Sequence, residues 1–125
     1  MTKEFIPYEL AVKLKALGFD EPCFATWSGE TLDMSLQIPS DDYFTKAPTF
    51  SQAFRFFREK YNLFHSTNYQ DDNSGPGCFD YEILNKRGKT QVEGDGSEFK
   101  TYEEAELACL IRLIEIVEKK QENDK

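Results

Sequence analysis

The sequence predicts a single α+β domain over residues 1–125, in which an antiparallel sheet of four or five strands carries helices packed on one face. Three observations lead to this fold class. Three segments place apolar residues at helical spacing beside capping signals, and residues 31–38 alternate between apolar and polar side chains. A chain of 125 residues with 39% hydrophobic content can bury one core. The predicted order is α-β-β-α-β-β-(β)-α, where the bracketed strand is short.

The first helix is predicted over about residues 7–17. Pro7 suits the first helical turn, where its missing N–H removes no hydrogen bond. Three leucines fall on one face: Leu10, Leu14 and Leu17. Gly18 fits the left-handed position that follows a helix, and Phe19 can then close back over Leu14.

A hairpin is predicted over about residues 23–38. Its strands, Cys23 to Ser28 and Thr31 to Ile38, are separated by Gly29 and Glu30, and a glycine at the first loop position favours a tight turn. The second strand alternates apolar and polar residues, as expected when one face is wet. Pro39 ends it, and residues 40–48 are predicted to form a loop.

The segment APTFSQAFRFFREKYNLFH, residues 47–65, mixes aromatic and basic side chains, yet helical geometry separates them. Thr49 and Gln52 form a capping box, so a helix is predicted over about residues 50–61. At 100° per residue, five aromatics share one face: Phe50, Phe54, Phe57, Tyr61 and Phe64. The opposite side is polar: Arg55, Glu59 and Asn62. The helix is therefore expected to bury its aromatic face.

A second hairpin is predicted over about residues 63–84, around the turn DDNSGPG, and a third short strand over residues 90–93. The segment Asp71 to Glu82 imitates a calcium loop. Pro76, however, occupies the sixth position, which must be glycine in that loop, so a hairpin turn is the preferred interpretation.

The last helix is predicted over about residues 102–119, with a frayed tail at 120–125. Thr101 and Glu104 form its capping box. The main apolar stripe contains Leu107, Leu110, Ile111, Ile114 and Val117, and it is widened by Leu113 and Ile116. A stripe of this width suggests contact with a second surface, such as another subunit.

The charge balance argues against one broad class of function. The net charge is −8, whereas a protein that binds phosphate backbones usually has a basic stripe, so no direct nucleic-acid binding is expected. Acidic mimicry of nucleic acid is an alternative that rests on charge alone. No apolar run approaches the roughly 20 residues of a membrane span, and no secretory signal is present. A cytoplasmic location is expected.

No cluster of residues points to catalysis, a metal or a cofactor. The three cysteines, Cys23, Cys78 and Cys109, are far apart, and His65 is the only histidine. A zinc site needs ligands at closer spacing, and a nucleophilic site needs an oriented base. We therefore expect free thiols and no enzymatic activity, with an enzyme using His65 as the last alternative.

Five residues are candidates for contact with a ligand or partner. Phe56 lies off the aromatic stripe, and its ring would suit a partner or subunit. Arg55, Arg58 and Lys60 could bind a phosphorylated small molecule, with Trp27 or Tyr69 stacking on it, and Ile116 extends the last helix's stripe.

Three stretches, FIPYELAVKLKALGFDEPCF, APTFSQAFRFFREKYNLF and TYEEAELACLIRLIEIVEK, resemble a family of small uncharacterised proteins from Bacteroidetes genomes, phages and mobile elements. The resemblance implies a setting in which small proteins bind host machinery or sequester nucleotides. The leading hypothesis is a non-enzymatic interaction protein that binds a host protein or itself as a homodimer. The alternative is a small-ligand or nucleotide-sequestering protein.

Overall fold

A computed structural model describes residues 5–19, 23, 25–28, 31–33, 45–70, 77–87, 90–93 and 99–123. The elements are α1 (Tyr8–Ala16), β1 (Ala25–Ser28), β2 (Thr31–Asp33), β3 (Thr45–Ala47), α2 (Phe50–Tyr61), β4 (Phe64–Gln70), β5 (Cys78–Leu84), β6 (Thr90–Glu93) and α3 (Tyr102–Asn123). The chain divides into two compact units, Met1–Phe56 and Phe57–Lys125, and the α+β class is confirmed.

The end of α1 adopts the predicted glycine cap. Gly18 has a φ of 103°, and its N–H donates to the Lys15 carbonyl at 3.1 Å. The Phe19 N–H donates to the Leu14 carbonyl at 3.0 Å. These two bonds are those of the Schellman motif. Leu14 and Phe19 are both buried, so the cap also turns Phe19 into the apolar interior.

The first sheet has the order β2-β1-β3 and is antiparallel. Ser28 pairs with Thr31, which is the register expected of a two-residue hairpin. β3 lies in the segment predicted to be a loop, so that prediction was wrong for Thr45–Ala47. Its Ala47 pairs with Ala25 on β1. The predicted continuation of the second strand through residues 34–38 lies outside the described residues.

One buried cluster of this unit includes two alanines from the sheet. Phe5, Ala25 and Ala47 are buried together, with Trp27 and Leu32 packed against them. Ile6 ties the N-terminal segment to the sheet, because its N–H donates to Pro48 and its carbonyl accepts from Trp27 Nε1 at 3.0 Å. The half-buried indole thus keeps a hydrogen bond for its N–H, as is usual when a Trp side chain leaves water.

Helix α2 has the predicted bounds, and its capping box is complete. The Thr49 N–H donates to Gln52 Oε1 at 3.0 Å, and the Gln52 N–H donates to Thr49 Oγ1 at 3.2 Å. Asn62, with a φ of 56°, ends the helix in the left-handed region, which asparagine tolerates better than most residues.

The second sheet has the order β4-β5-β6 and is also antiparallel. Seven consecutive pairs join β4 to β5, from Phe64 opposite Leu84 to Gln70 opposite Cys78. The short strand β6 has the predicted bounds and shows a register shift at Ile83 and Leu84. Most of the turn that was compared with a calcium loop, residues 71–76, lies outside the described residues.

The described strands form two three-stranded sheets, not the predicted single sheet of four or five strands. In each sheet one central strand pairs with a neighbour on both sides. In the first sheet the central strand is β1, and in the second it is β5. The two halves therefore repeat the order αβββ but differ in topology.

Helix α3 continues to Asn123, so the tail predicted to be frayed is helical for at least one further turn. The Glu104 N–H donates to Thr101 Oγ1 at 3.1 Å, which forms the predicted N-cap bond. The buried face is rotated from the predicted stripe. It contains Ala105, Cys109, Leu110, Leu113, Ile114 and Val117, whereas Ile111 is 39% exposed. This face includes small residues, and a pattern based on large apolar side chains does not predict them.

Replacing Gly18 with alanine is expected to lower the free energy of unfolding by about 1–2 kcal/mol, because a Cβ is disfavoured at a φ of 103°. Urea unfolding at neutral pH measures the change. Gly18→Asn should lose less, since asparagine tolerates this region, and the exposed Lys15→Ala variant should stay close to wild type. Equal stability of Gly18→Ala and wild type would contradict the cap assignment.

Candidate functional site

Three aromatic side chains in the second unit form a partly exposed cluster, here called the aromatic surface: Tyr69, Phe79 and Tyr102. The Tyr69 and Phe79 rings meet edge to face with centroids 5.2 Å apart. The Phe79 and Tyr102 rings are perpendicular at 90°, with centroids 6.0 Å apart. Such edge-to-face geometry is favourable beyond the buried area alone. Phe79 therefore holds both tyrosines in place.

The backbone brings these residues together from three elements. Tyr69 on β4 lies directly opposite Phe79 on β5. Phe79 also exchanges two backbone hydrogen bonds with Phe99, at 2.8 and 3.0 Å. Because α3 begins at Tyr102, only three residues after Phe99, this bridge positions the first helical residue beside the sheet.

Gly77 leaves room for the Tyr69 ring. A Cβ built at this position would collide with the phenol end of Tyr69, so any side chain here would displace the ring. The glycine immediately before β5 thus allows Tyr69 to lie across the backbone. The orientation of Tyr69 depends on both Phe79 and Gly77.

The aromatic surface combines apolar rings with polar ends. Tyr69 is 59% exposed and Tyr102 is 42% exposed, whereas Phe79 is half-buried between them. Glu103 and Glu104 follow Tyr102 and are both exposed. Tyrosine rings can stack on apolar groups, attract cations to their faces and hydrogen-bond through their hydroxyls. The arrangement suits a side chain that is both apolar and positively charged.

The predicted cationic residues do not form such a cluster. Arg55, Arg58 and Lys60 are all exposed on α2. The Lys60 ammonium lies 5.6 Å from the centroid of the neighbouring Tyr61 ring, a cation–π contact within the helix. Arg58 lies close enough to His65 to affect its protonation. Each cation thus has its own local environment along the helix.

Phe56 is only 7% exposed, so the interpretation of its ring as a partner contact has to be corrected. Its ring meets Phe19 edge to face with centroids 5.4 Å apart. Phe19 reaches this position through the glycine cap of α1. The off-stripe aromatic is therefore explained by packing within the first unit. Ile116, the fifth candidate, is half-buried on α3.

His65 is half-buried on β4 and is neutral over most of the pH range. Burial, followed by repulsion from the Arg58 guanidinium, lowers the pKa of His65 from 6.5 to about 4. An imidazole with so low a pKa is a weak base at neutral pH. The residue therefore has little of the chemistry expected of a general base.

Cys109, the cysteine of α3, is also unreactive at neutral pH. Burial raises the pKa of the Cys109 thiol to about 12, and the nearby Glu106 carboxylate contributes in the same direction. The thiolate, which is the reactive form, is thus scarce at neutral pH. Within the described ranges, no three His, Cys, Asp or Glu side chains lie together as metal ligands.

Sequence reasoning identified Tyr69 as a stacking candidate but missed Phe79 and Tyr102. The strand register could have identified Phe79, because a hairpin that pairs Gln70 with Cys78 places Tyr69 opposite Phe79. The contribution of Tyr102 depends on the bridge between Phe79 and Phe99, which joins residues that are twenty positions apart and separated by β6. Local patterns do not predict that bridge.

Comparisons with protein-family models, curated proteins and solved structures gave no significant match to this chain. In the part of the chain that the structure describes, no helix is long and apolar enough to cross a membrane. The function of this chain is therefore inferred from its side chains and their geometry.

Because the chain contains one histidine, its imidazole titration can be assigned without overlap. We expect the His65 imidazole resonance to titrate with a pKa of about 4, and Arg58→Gln to raise that pKa by less than half of the difference from 6.5, since burial is the larger cause. A value near 6.5 in the wild type would contradict the burial of the ring.

The same shift predicts a change of stability with pH. The folded state binds the His65 proton more weakly than the unfolded chain, so stability falls as the pH drops from 6.5 towards about 4. After allowance for solvent screening of a half-buried ring, the loss should be about 1–2 kcal/mol. Urea unfolding of wild type and His65→Gln at both pH values isolates this loss, which the variant should lack.

Thr67 offers a stability test on the same strand. Its Oγ1 is shielded from solvent, and no described group donates to it or accepts from it. Because an unsatisfied buried hydroxyl is unfavourable, Thr67→Val should raise the free energy of unfolding by about 1 kcal/mol. Thr67→Ser keeps the hydroxyl but loses a methyl group, and it should lower that energy by about 1 kcal/mol. Destabilisation by valine would show that the hydroxyl has a partner.

Proposed function

We propose that this chain is a non-enzymatic protein-interaction module that binds a basic, extended segment of another protein through the aromatic surface. The observation that supports this most directly is the exposure of Tyr69 and Tyr102 while Phe79 holds both rings. Tyrosine is enriched among the residues that dominate binding energy in protein interfaces.

The two tyrosine rings of the aromatic surface are held in position before a partner binds. Tyr69 contacts Phe79 and lies over Gly77, and Tyr102 belongs to the first turn of α3. A side chain that is already ordered loses less conformational entropy when it binds. The surface is therefore well suited to provide anchoring contacts for a peptide.

Charge favours a basic partner. The chain has a net charge of −8, and Glu103 and Glu104, which follow Tyr102 in the first turn of α3, are exposed. A lysine or arginine side chain could lie on a tyrosine face and would be attracted by the negative charge of the chain. An acidic partner would be repelled by the same charge.

As part of this proposal, the chain comes from a phage or mobile element and its partner is a host protein. Binding of a phosphorylated small molecule by Arg55, Arg58 and Lys60 has less support, because the Lys60 ammonium already lies over Tyr61. Cytoplasmic location stays a prediction.

A displayed random-peptide library provides the test, since the natural partner is unidentified. Selection on the wild-type protein should enrich peptides that combine Arg or Lys with aromatic residues. Fluorescence anisotropy should then show that Tyr102→Ala lowers the affinity for the selected peptides at least about tenfold, the loss expected for an anchoring aromatic.

Ile111→Ala is the matched control, because Ile111 is exposed to a similar extent on the same helix but lies outside the aromatic surface. It should change peptide affinity less than about twofold. Gly77→Ala, which displaces Tyr69, should weaken binding without altering any residue of α3. Peptides that bind the Tyr102→Ala and Gly77→Ala variants as tightly as wild type would contradict the proposal.

A further inference from the structure

Strand β4 differs from the other outer strands of the two sheets. It contains seven described residues, whereas the described parts of β2, β3 and β6 contain three, three and four. All seven residues pair with β5 without interruption. Among the described strands, β4 has a neighbour on one side only. It therefore presents a long and regular edge.

The sequence features that commonly protect such an edge, and β-bulges, are missing from β4. Its sequence, FHSTNYQ, contains no lysine, no proline and no glycine, and its pairing with β5 contains no bulge. Outer strands that lack charges, prolines and bulges are templates for pairing with another strand. Phe64, Asn68 and Tyr69 are exposed along it.

Charge indicates which strand could occupy this edge. The eight residues from Leu63 to Gln70 carry no formal charge, in a chain whose net charge is −8 and in which 30% of residues are charged. Two acidic copies repel each other unless they meet at a neutral segment. With a pKa of about 4, His65 adds no charge at neutral pH. A second copy of the same strand thus meets no like charge here.

We propose that this protein forms a homodimer in which β4 pairs antiparallel with β4 of a second copy, joining two three-stranded sheets into one six-stranded sheet. The arrangement is isologous, because the same strand is used by both copies about a twofold axis. Main-chain hydrogen bonds across the axis satisfy donors and acceptors of both edges, as in strand addition to other sheets.

Full overlap of the two strands determines the register. A seven-residue strand overlaps completely with its own copy when Thr67 lies on the twofold axis. Ser66 then lies opposite Asn68 of the second copy, and His65 lies opposite Tyr69 of the second copy. These two pairs match a polar group with a polar group and a ring with a ring, which are favourable cross-strand pairs, and Phe64 lies opposite Gln70 at each end.

The dimer can be tested separately from the proposed peptide binding, although Tyr69 on β4 contributes to both. Tyr102 lies on α3, and Phe79 lies on β5, which is the inner neighbour of β4. Variants of these residues leave the β4 edge unchanged. Loss of dimerisation and loss of peptide binding can therefore be measured separately.

Sedimentation velocity from about 1 µM to about 1 mM protein tests the association, a range that covers weak and moderate dimers. We expect a concentration-dependent dimer in the wild type. Both Asn68→Lys and Asn68→Glu should raise the dimer Kd at least about tenfold, because each places like charges near the axis on an exposed position. Circular dichroism should show that both variants keep the wild-type fold.

The opposite charges of the two variants separate edge pairing from general repulsion. If only net charge mattered, lysine would strengthen association and glutamate would weaken it. Gln121→Lys and Gln121→Glu, at an exposed position of α3, are the matched controls and should change the Kd less than about twofold.

Hydrogen exchange locates the interface independently of any substitution. Amides of β4 should become more protected as wild-type concentration rises, while those of the exposed face of α3 should not change. A wild type that stays monomeric at about 1 mM would overturn the proposal. So would a dimer that both Asn68 variants form as tightly as wild type, or one without added protection in β4.

Discussion

The pair of backbone hydrogen bonds between Phe79 and Phe99 is the contact on which the second unit depends. It joins the central strand to the segment that leads into α3, although β6 lies between them in sequence. Without it, nothing in the strand pairing would place the start of the helix beside β5. With it, Tyr102 starts the helix beside Phe79, and the buried face of α3 is presented to the sheet. The aromatic surface is thus a consequence of main-chain pairing more than of side-chain attraction.

Local signals predicted the helices well because helix ends are determined by a few neighbouring residues. The capping box of Thr49 and Gln52 and the glycine cap at Gly18 have the expected hydrogen bonds. Strand β3 escaped prediction because three residues are too few to show a period, and its sequence, TKA, contains little β preference. Its stability comes from pairing with β1, which is a tertiary property.

The candidate site was harder to predict because periodicity describes directions on one element and not what covers them. Helical angles correctly separated Phe56 from the aromatic stripe, yet they could not show that Phe19 would cover it. The same limit applies to Tyr102, whose importance depends on Phe79 and Phe99. By contrast, the neutral run from Leu63 to Gln70 is visible in the sequence, but its meaning emerges only when β4 is an outer strand.

Strand β4 takes part in both proposals, because its side chains and its backbone edge provide two different binding surfaces. Tyr69 contributes its ring to the aromatic surface, whereas the backbone of the strand provides the edge. Pairing of two copies would immobilise the backbone that carries Tyr69 and bring two aromatic surfaces into one assembly. Two linked sites raise the effective concentration for a partner that contains two basic segments. An acidic chain with one neutral strand can therefore associate with itself and still attract a basic partner, since the charges that repel a second copy lie elsewhere on the chain.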